Sequence, residues 1–174
     1  MTLVELLIAV GIGGIVFAAV ALLTFYSARS FAALTNYVDL DKYSRNALDQ
    51  MISEIRQADG VTNFTTTRLV CSFTNPTNSA KYQITYNYDS NAQKLKKTVS
   101  GGAETVLLNE CEYLKFDVFQ RNPKDREYDY YPAETSRPEL VKIVQLTWVC
   151  SRKILGKKAN TESVQSAKVV IRKV

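Results

Sequence analysis

The chain of 174 residues carries 22 Lys+Arg against 17 Asp+Glu, a net charge of +5, and is 46% hydrophobic, which suits one domain with one core. It contains no histidine, which excludes Ser-His-Asp and Cys-His catalysis, His-ligated zinc and the usual near-neutral proton shuttle but leaves carboxylate-only chemistry open. The charge is unevenly spread: residues 1–28 hold one charged side chain, Glu5.

Between Glu5 and Arg29 lie 23 consecutive uncharged residues, mostly Leu, Ile, Val, Ala and Phe. As a helix this run is about 35 Å long, enough to cross a hydrocarbon core of about 30 Å. No basic segment precedes it and no small-x-small cleavage site follows, which argues against a secretory signal peptide. A plain membrane anchor is the simplest reading. An unpaired carboxylate at Glu5, however, costs several kcal/mol in hydrocarbon, and an anchor gains nothing from it. A subunit whose neighbour brings a positive charge to that depth does gain, and the free amine of another copy's Met1 is one such charge.

The run Met1-Thr2-Leu3-Val4-Glu5-Leu6-Leu7-Ile8-Ala9 resembles the start of a mature type IV pilin or type II secretion pseudopilin. The usual motif there is an aromatic residue or Met, then Thr-Leu-Val-Glu and an apolar helix. The resemblance implies a leader ending in Gly, removed by a prepilin peptidase that also methylates the new N-terminus, here Met1. That leader is absent, so the chain reads as mature. The resemblance also implies that Glu5 pairs with the Met1 amine of an adjacent subunit during assembly. Many pilins carry a helix-breaking Pro near position 22, where this chain has Ala21-Leu22-Leu23. It has instead Gly11, Gly13 and Gly14, each costing a helix about 1 kcal/mol relative to Ala. Two readings of this soft segment stand side by side: loosening when the subunit leaves the bilayer, or close packing of helices through small residues.

From Arg29 to Asp59 the pattern is amphipathic. Phe31, Leu34, Val38, Ala47, Leu48, Met51, Ile52 and Ile55 recur at three- and four-residue steps, and this stripe is expected to hold a sheet against the C-terminal half of the helix. No Pro occurs before Pro76, so one helix from about residue 2 to 58 is predicted, roughly 85 Å long. Asp59-Gly60 is expected to end it, with Gly suited to a helix C-terminus. The segment Tyr43–Asp59 also resembles the corresponding helix of J-type minor pseudopilins and W-type minor pilins, which read approximately Arg-x-Ala-Leu-Asp-x-Leu-x-x-Asp/Glu-Leu/Ile-Arg-Gln-Ala.

After Val61 the period shortens to two. Leu69, Cys71 and Phe73 alternate, as do Tyr82, Ile84, Tyr86 and Tyr88. Asp89-Ser90-Asn91 is turn chemistry before a strand at Lys94–Val99, and Gly101-Gly102 a turn before Thr105–Leu108. Leu114, Phe116 and Val118 form one more strand, Leu140, Val144, Leu146 and Trp148 another, and Ala167–Arg172 the last. Six or seven short strands after one long helix predict an α+β fold: a ladle-like helix packed on a mostly antiparallel sheet. Two long connections, Arg121–Pro138 and Ser151–Gln165, interrupt the strands. The first is rich in tyrosine (Tyr128, Tyr130, Tyr131), read as a lid lying flat on the sheet in preference to a partner-binding loop.

Three cysteines, Cys71, Cys111 and Cys150, lie in the strand-rich part, where a periplasmic or exterior setting permits disulfides. Parity places Cys71 and Cys150 with core-facing neighbours and Cys111 on the opposite face, so a Cys71–Cys150 bridge is favoured. A Cys111–Cys150 bridge is open if a bulge shifts the phase. With no CxxC and no His, no metal site and no cofactor is expected, and no catalytic constellation is present. Residues 59–174 carry 18 Lys+Arg and 12 Asp+Glu; Lys94, Lys96, Lys97, Lys153, Lys157 and Lys158 concentrate in hairpins and loops. A polymer repeating this charge would attract DNA or anionic surfaces at low salt, although solvated charge is the commoner explanation. Asn63-Phe64-Thr65 fits the N-glycan acceptor pattern, and Thr65–Thr67 is a candidate for O-linked sugar.

The sequence thus divides into a hydrophobic assembly or transmembrane helix (1–28), its amphipathic continuation (29–59) and a β-rich globular part (60–174). The resemblance implies a non-enzymatic structural subunit that self-associates into a helical filament. It would reside in the inner membrane before assembly and at the cell surface afterwards. The alternative is a minor, J-like pilin or pseudopilin at the filament tip, acting with other minor subunits to prime assembly or type II protein secretion; a pseudopilin would stay periplasmic.

Overall fold

The computed structural model describes residues 2–124, 129–152 and 162–172. Its first element is one α-helix, α1, Leu3–Gln57, of 55 residues, about 80 Å long. The helix starts where Thr2 and Glu5 form a capping box: the Thr2 side chain accepts from Glu5 N (3.4 Å), and the Glu5 carboxylate accepts from Thr2 N (2.8 Å), so two amides that lack helical partners are satisfied reciprocally. It ends by a different device from the glycine cap expected. Ala58 turns extended (φ −60°, ψ 146°) and donates to Ile55 O. Asp59 N is then captured by Ser72 O (2.8 Å), so Gly60 already lies in a strand.

Among the described residues nine strands follow: β1 Gly60–Phe64, β2 Arg68–Thr74, β3 Lys81–Asp89, β4 Lys94–Val99, β5 Glu104–Leu108, β6 Cys111–Gln120, β7 Tyr131–Pro132, β8 Val141–Ser151 and β9 Glu162–Val170. They form two sheets, ordered β1-β2-β3-β4-β5 and β7-β6-β8-β9, and every pairing is antiparallel. The α+β class and the antiparallel pairing are as expected. The division into two sheets, the strand β1 and the two-residue β7 are additions, and Leu140 lies in a short 3-10 turn, Pro138–Leu140, instead of a strand. Both sheets present alternate apolar side chains to one core. Leu69, Phe73, Tyr86 and Leu95 come from the first sheet, Leu114, Phe116, Leu146 and Trp148 from the second, and Leu40, Ala47, Met51 and Ile55 from the helix. Burying a side chain of this size contributes about 1.5–3 kcal/mol.

The hairpin turns follow side-chain chemistry. Asp89 Oδ1 accepts from the amides of Asn91 and Ala92 between β3 and β4. Gly101, at φ 78°, occupies the left-handed region between β4 and β5, where glycine carries no steric penalty.

Candidate functional site

The helix changes character along its length. Up to Asp39 none of its described residues is buried; from Leu40 onward Leu40, Ser44, Ala47, Met51 and Ile55 face the core. Leu3, Phe17, Leu23 and Tyr26 are each at least 74% exposed. The segment is long and apolar enough to cross a membrane and is compatible with anchoring there. Tyr26 and Arg29 close its C-terminal end, residue types that favour the membrane–water boundary.

Glu5 lies in this exposed stretch. Its carboxylate is engaged in the helix cap, so the residue has a local use that the charge pattern alone did not suggest: a plain anchor does gain something from a Thr-x-x-Glu start. Met1, the other half of the assembly pair and the methylation position, lies outside the described residues. Gly11, Gly13 and Gly14 sit within the unbroken helix, and a Cβ added at any of them meets nothing within 4 Å.

The stripe that periodicity assigned to the sheet divides in two. Ala47, Met51 and Ile55 are buried, and Leu48 and Ile52 pack partly against the core. Phe31, Leu34 and Val38 do not join them and are 54–68% exposed. All three precede Leu40, the first buried residue of the helix, and so lie beyond the stretch that the sheets cover. This corrects the expectation of a single core-facing stripe, because a repeat of three and four reports an apolar face and not what covers it.

Three polar clamps tie the helix to the sheets. In the first, Trp148 Nε1 donates to Ser44 Oγ (2.8 Å), with both residues buried. In the second, Asp41 accepts from Ser163 Oγ and Gln165 Nε2 of β9, each at 3.1 Å, and from Arg45 Nε at 2.6 Å. Arg152 completes this end, donating to Glu110 (2.8 Å) and to Asn36 Oδ1 (3.1 Å). The third clamp centres on Glu54, which accepts from Lys97 and Tyr86 across the first sheet and from Gln50 Nε2 at 3.0 Å. Burial works to raise the Glu54 pKa, but the hydrogen bonds from Lys97, Tyr86 and Gln50 together with the Lys97 charge outweigh it and hold the carboxyl below its ordinary value. Sequence reasoning missed these clamps. Nothing in the sequence separates Glu54 from a solvated charge, and a Ser one turn from Leu40 on the buried face carries no signal of its own.

The cysteines are all buried free thiols. Cys71 stands on the first sheet opposite Ile84, and Cys150 on the second opposite Cys111. The register shift between Cys111 and Tyr113 turns Cys111 inward, against its simple parity, and none of the three cysteines is joined to another. Among the described residues no cluster of three or more His, Cys, Asp or Glu could hold a metal ion.

In the tyrosine-rich connection Tyr130 lies against Phe119 (ring centroids 5.4 Å apart), with Lys168 Nζ 3.9 Å from its centroid. Tyr131 pairs with Gln120 as part of β7. Tyr128 lies outside the described residues, as do Lys153, Lys157 and Lys158. Of the other lysines named above, Lys96 pairs with Glu104 (2.9 Å) and Lys97 with Glu54, so part of that basic cluster is neutralised within the chain. Asn63 is exposed on β1.

No family model and no curated protein matches the sequence. Among solved structures the fold is similar to a type IV-like pilin from Thermus thermophilus, at 10% sequence identity and a TM-score of 0.46, over 75% of this chain and 93% of that chain.

Proposed function

We propose that this chain is a structural subunit of a type IV pilus-like filament. In this reading residues 1–28 hold the subunit in the inner membrane, a prepilin peptidase cleaves the leader and methylates Met1, and the helices then bundle along the filament axis with the sheets outward. The observation that carries the reading is the unbroken helix with no buried residue before Leu40. So large a contiguous apolar surface requires lipid or other copies to cover it, and its Thr2-Leu3-Val4-Glu5 start supplies the family resemblance. Glu5 neutralises the Met1 amine of a neighbour and so sets register. Cryo-microscopy of sheared surface filaments tests the proposal: this chain is expected as the repeating unit, and its absence from the filament shaft sinks the major-subunit reading.

The test of Glu5 must spare the cap. Glu5→Gln retains a residue type able to close the capping box but removes the charge, and is expected to block incorporation. Normal assembly of this variant refutes the register role.

A second reading, a minor J-like subunit at the tip that primes assembly or secretion, is favoured by the Tyr43–Asp59 resemblance. Copy number separates the two: a few copies per filament supports the minor role, thousands the major one.

A further inference from the structure

Cys111 opens β6, Cys150 sits one residue from the end of β8, and the two are register partners. Cys111 N donates outside this ladder, to Gln93 O, whereas Ser151 N donates to Glu110 O, each at 2.9 Å. Hydrogen bonding by the flanking residues makes Cys111 and Cys150 a non-hydrogen-bonded pair, in which opposed Cα atoms are about 4.5 Å apart and side chains approach most closely. Disulfides span Cα separations of about 4.4–6.8 Å. Both thiols are buried, and Cys111 Sγ donates to Tyr113 O (3.3 Å).

Cys71 differs in place and chemistry. It stands between Val61 and Ile84 on the other sheet, and burial, followed by the Glu54 charge, pushes its thiol up to about 12, away from the thiolate that exchange requires.

We propose that Cys111 and Cys150 form a disulfide that staples the end of the second sheet to which the exposed helix is tied, leaving Cys71 a thiol. Cys150 lines a small cavity of about 120 Å³ with Leu40, Tyr43, Ser44 and Arg152, the junction where the helix leaves the sheets. Cys150 borders this cavity and Cys111 does not, so Cys150 is the attacking sulfur. It displaces one sulfur of an external disulfide, that of a dithiol–disulfide exchange protein or of oxidised glutathione, forming a mixed disulfide and releasing one thiol. Cys111 Sγ then gives its proton to solvent, attacks Cys150 Sγ and expels the second external sulfur. The two cysteines lose two electrons and two protons, and the external disulfide gains both. The bridge holds Glu110 and Arg152 where they clamp Asn36. This inference is independent of the filament reading.

The test uses the full-length chain in mild detergent, equilibrated in glutathione buffers of rising oxidised fraction, acid-quenched, alkylated in denaturant and mapped by mass. A linked pair of peptides carrying Cys111 and Cys150 is expected, two hydrogens lighter than its reduced parts, with alkylation falling from all three cysteines to Cys71 alone. In Cys111→Ser a glutathione adduct is expected on Cys150, and an unmodified Cys150 there overturns the order of attack. Three alkylated cysteines at every ratio, persistent adducts in place of the link, or a link through Cys71 each overturn the proposal.

Discussion

Helix α1 is one continuous element, yet the sheets cover it only from Leu40 onward, and none of its residues before Leu40 is buried among the described residues. The two halves have similar helical backbones and different sources of stability. In the second half, each turn places one or two side chains in a shared core and three polar clamps fix its rotation. In the first half the described residues supply helical hydrogen bonds and the Thr2–Glu5 cap, and the apolar surface requires lipid or protein around it. In the proposed filament, folding and assembly fall to different residues of one helix, so substitutions in the two halves should separate a stability readout from an assembly readout.

The sharpest form of that comparison sets Trp148 against Phe17. Trp148 is fully buried and bonded to Ser44, so Trp148→Ala is expected to destabilise the sheet body by about 3–5 kcal/mol. Phe17 is 76% exposed, and Phe17→Ala is expected to change the same transition by no more than about 0.5 kcal/mol while impairing filament assembly. Thermal and denaturant unfolding of detergent-solubilised chains, followed by circular dichroism, measures the first effect, and filament yield the second. A Phe17 variant that lowers the melting of the body would break the division.

The cysteine staple comes next. Closing a loop of about 40 residues between Cys111 and Cys150 removes chain entropy from the unfolded state worth about 4 kcal/mol. Oxidised and reduced samples are therefore expected to differ in denaturant midpoint, with the apolar half of the helix unaffected. Cys71→Ser should keep that difference and Cys150→Ser abolish it.

Much of this architecture was legible because the chain changes period cleanly: three-four spacing to residue 58, then alternation, with β4 read to the residue as Lys94–Val99. The gaps have specific causes. β1 was missed because a register shift between Val61 and Asn63 puts Val61 and Phe64, three apart, on the buried side. The same kind of shift hid the orientation of Cys111. Two sheets were not separated because alternation marks a buried face without naming what it faces. The exposure of Phe31, Leu34 and Val38 was invisible for the same reason. The Thr2–Glu5 spacing was in plain view, but its local use was obscured by attention to the charge.

Glu54 probes the covered half by pH. Its carboxyl is held below the ordinary value of 4.5 by hydrogen bonds from Lys97, Tyr86 and Gln50 that outweigh burial. A depressed folded value means that its contribution is fully present above pH 4.5 and is lost as the pH falls through the lower folded value. Unfolding midpoints measured across that range should drop for the native chain, and the drop should be smaller in Glu54→Gln. At neutral pH the same variant is expected to cost about 1–3 kcal/mol, since Lys97 loses its ionic partner in a partly buried site.

The smallest effect on the body is expected in the exposed half, at Gly11, Gly13 and Gly14. Added methyl groups there meet nothing within 4 Å, so the triple Ala variant should leave the sheet transition where it is. Each replacement should stiffen the helix by about 1 kcal/mol. What changes instead is behaviour among copies, and the two readings of these glycines then part. If the segment loosens as subunits leave the bilayer, the variant filament forms but extends less under load. If the glycines let neighbouring helices approach closely, the added methyls obstruct packing and few filaments form. A filament of normal yield and unchanged extensibility removes both roles and leaves the glycines without a part in assembly.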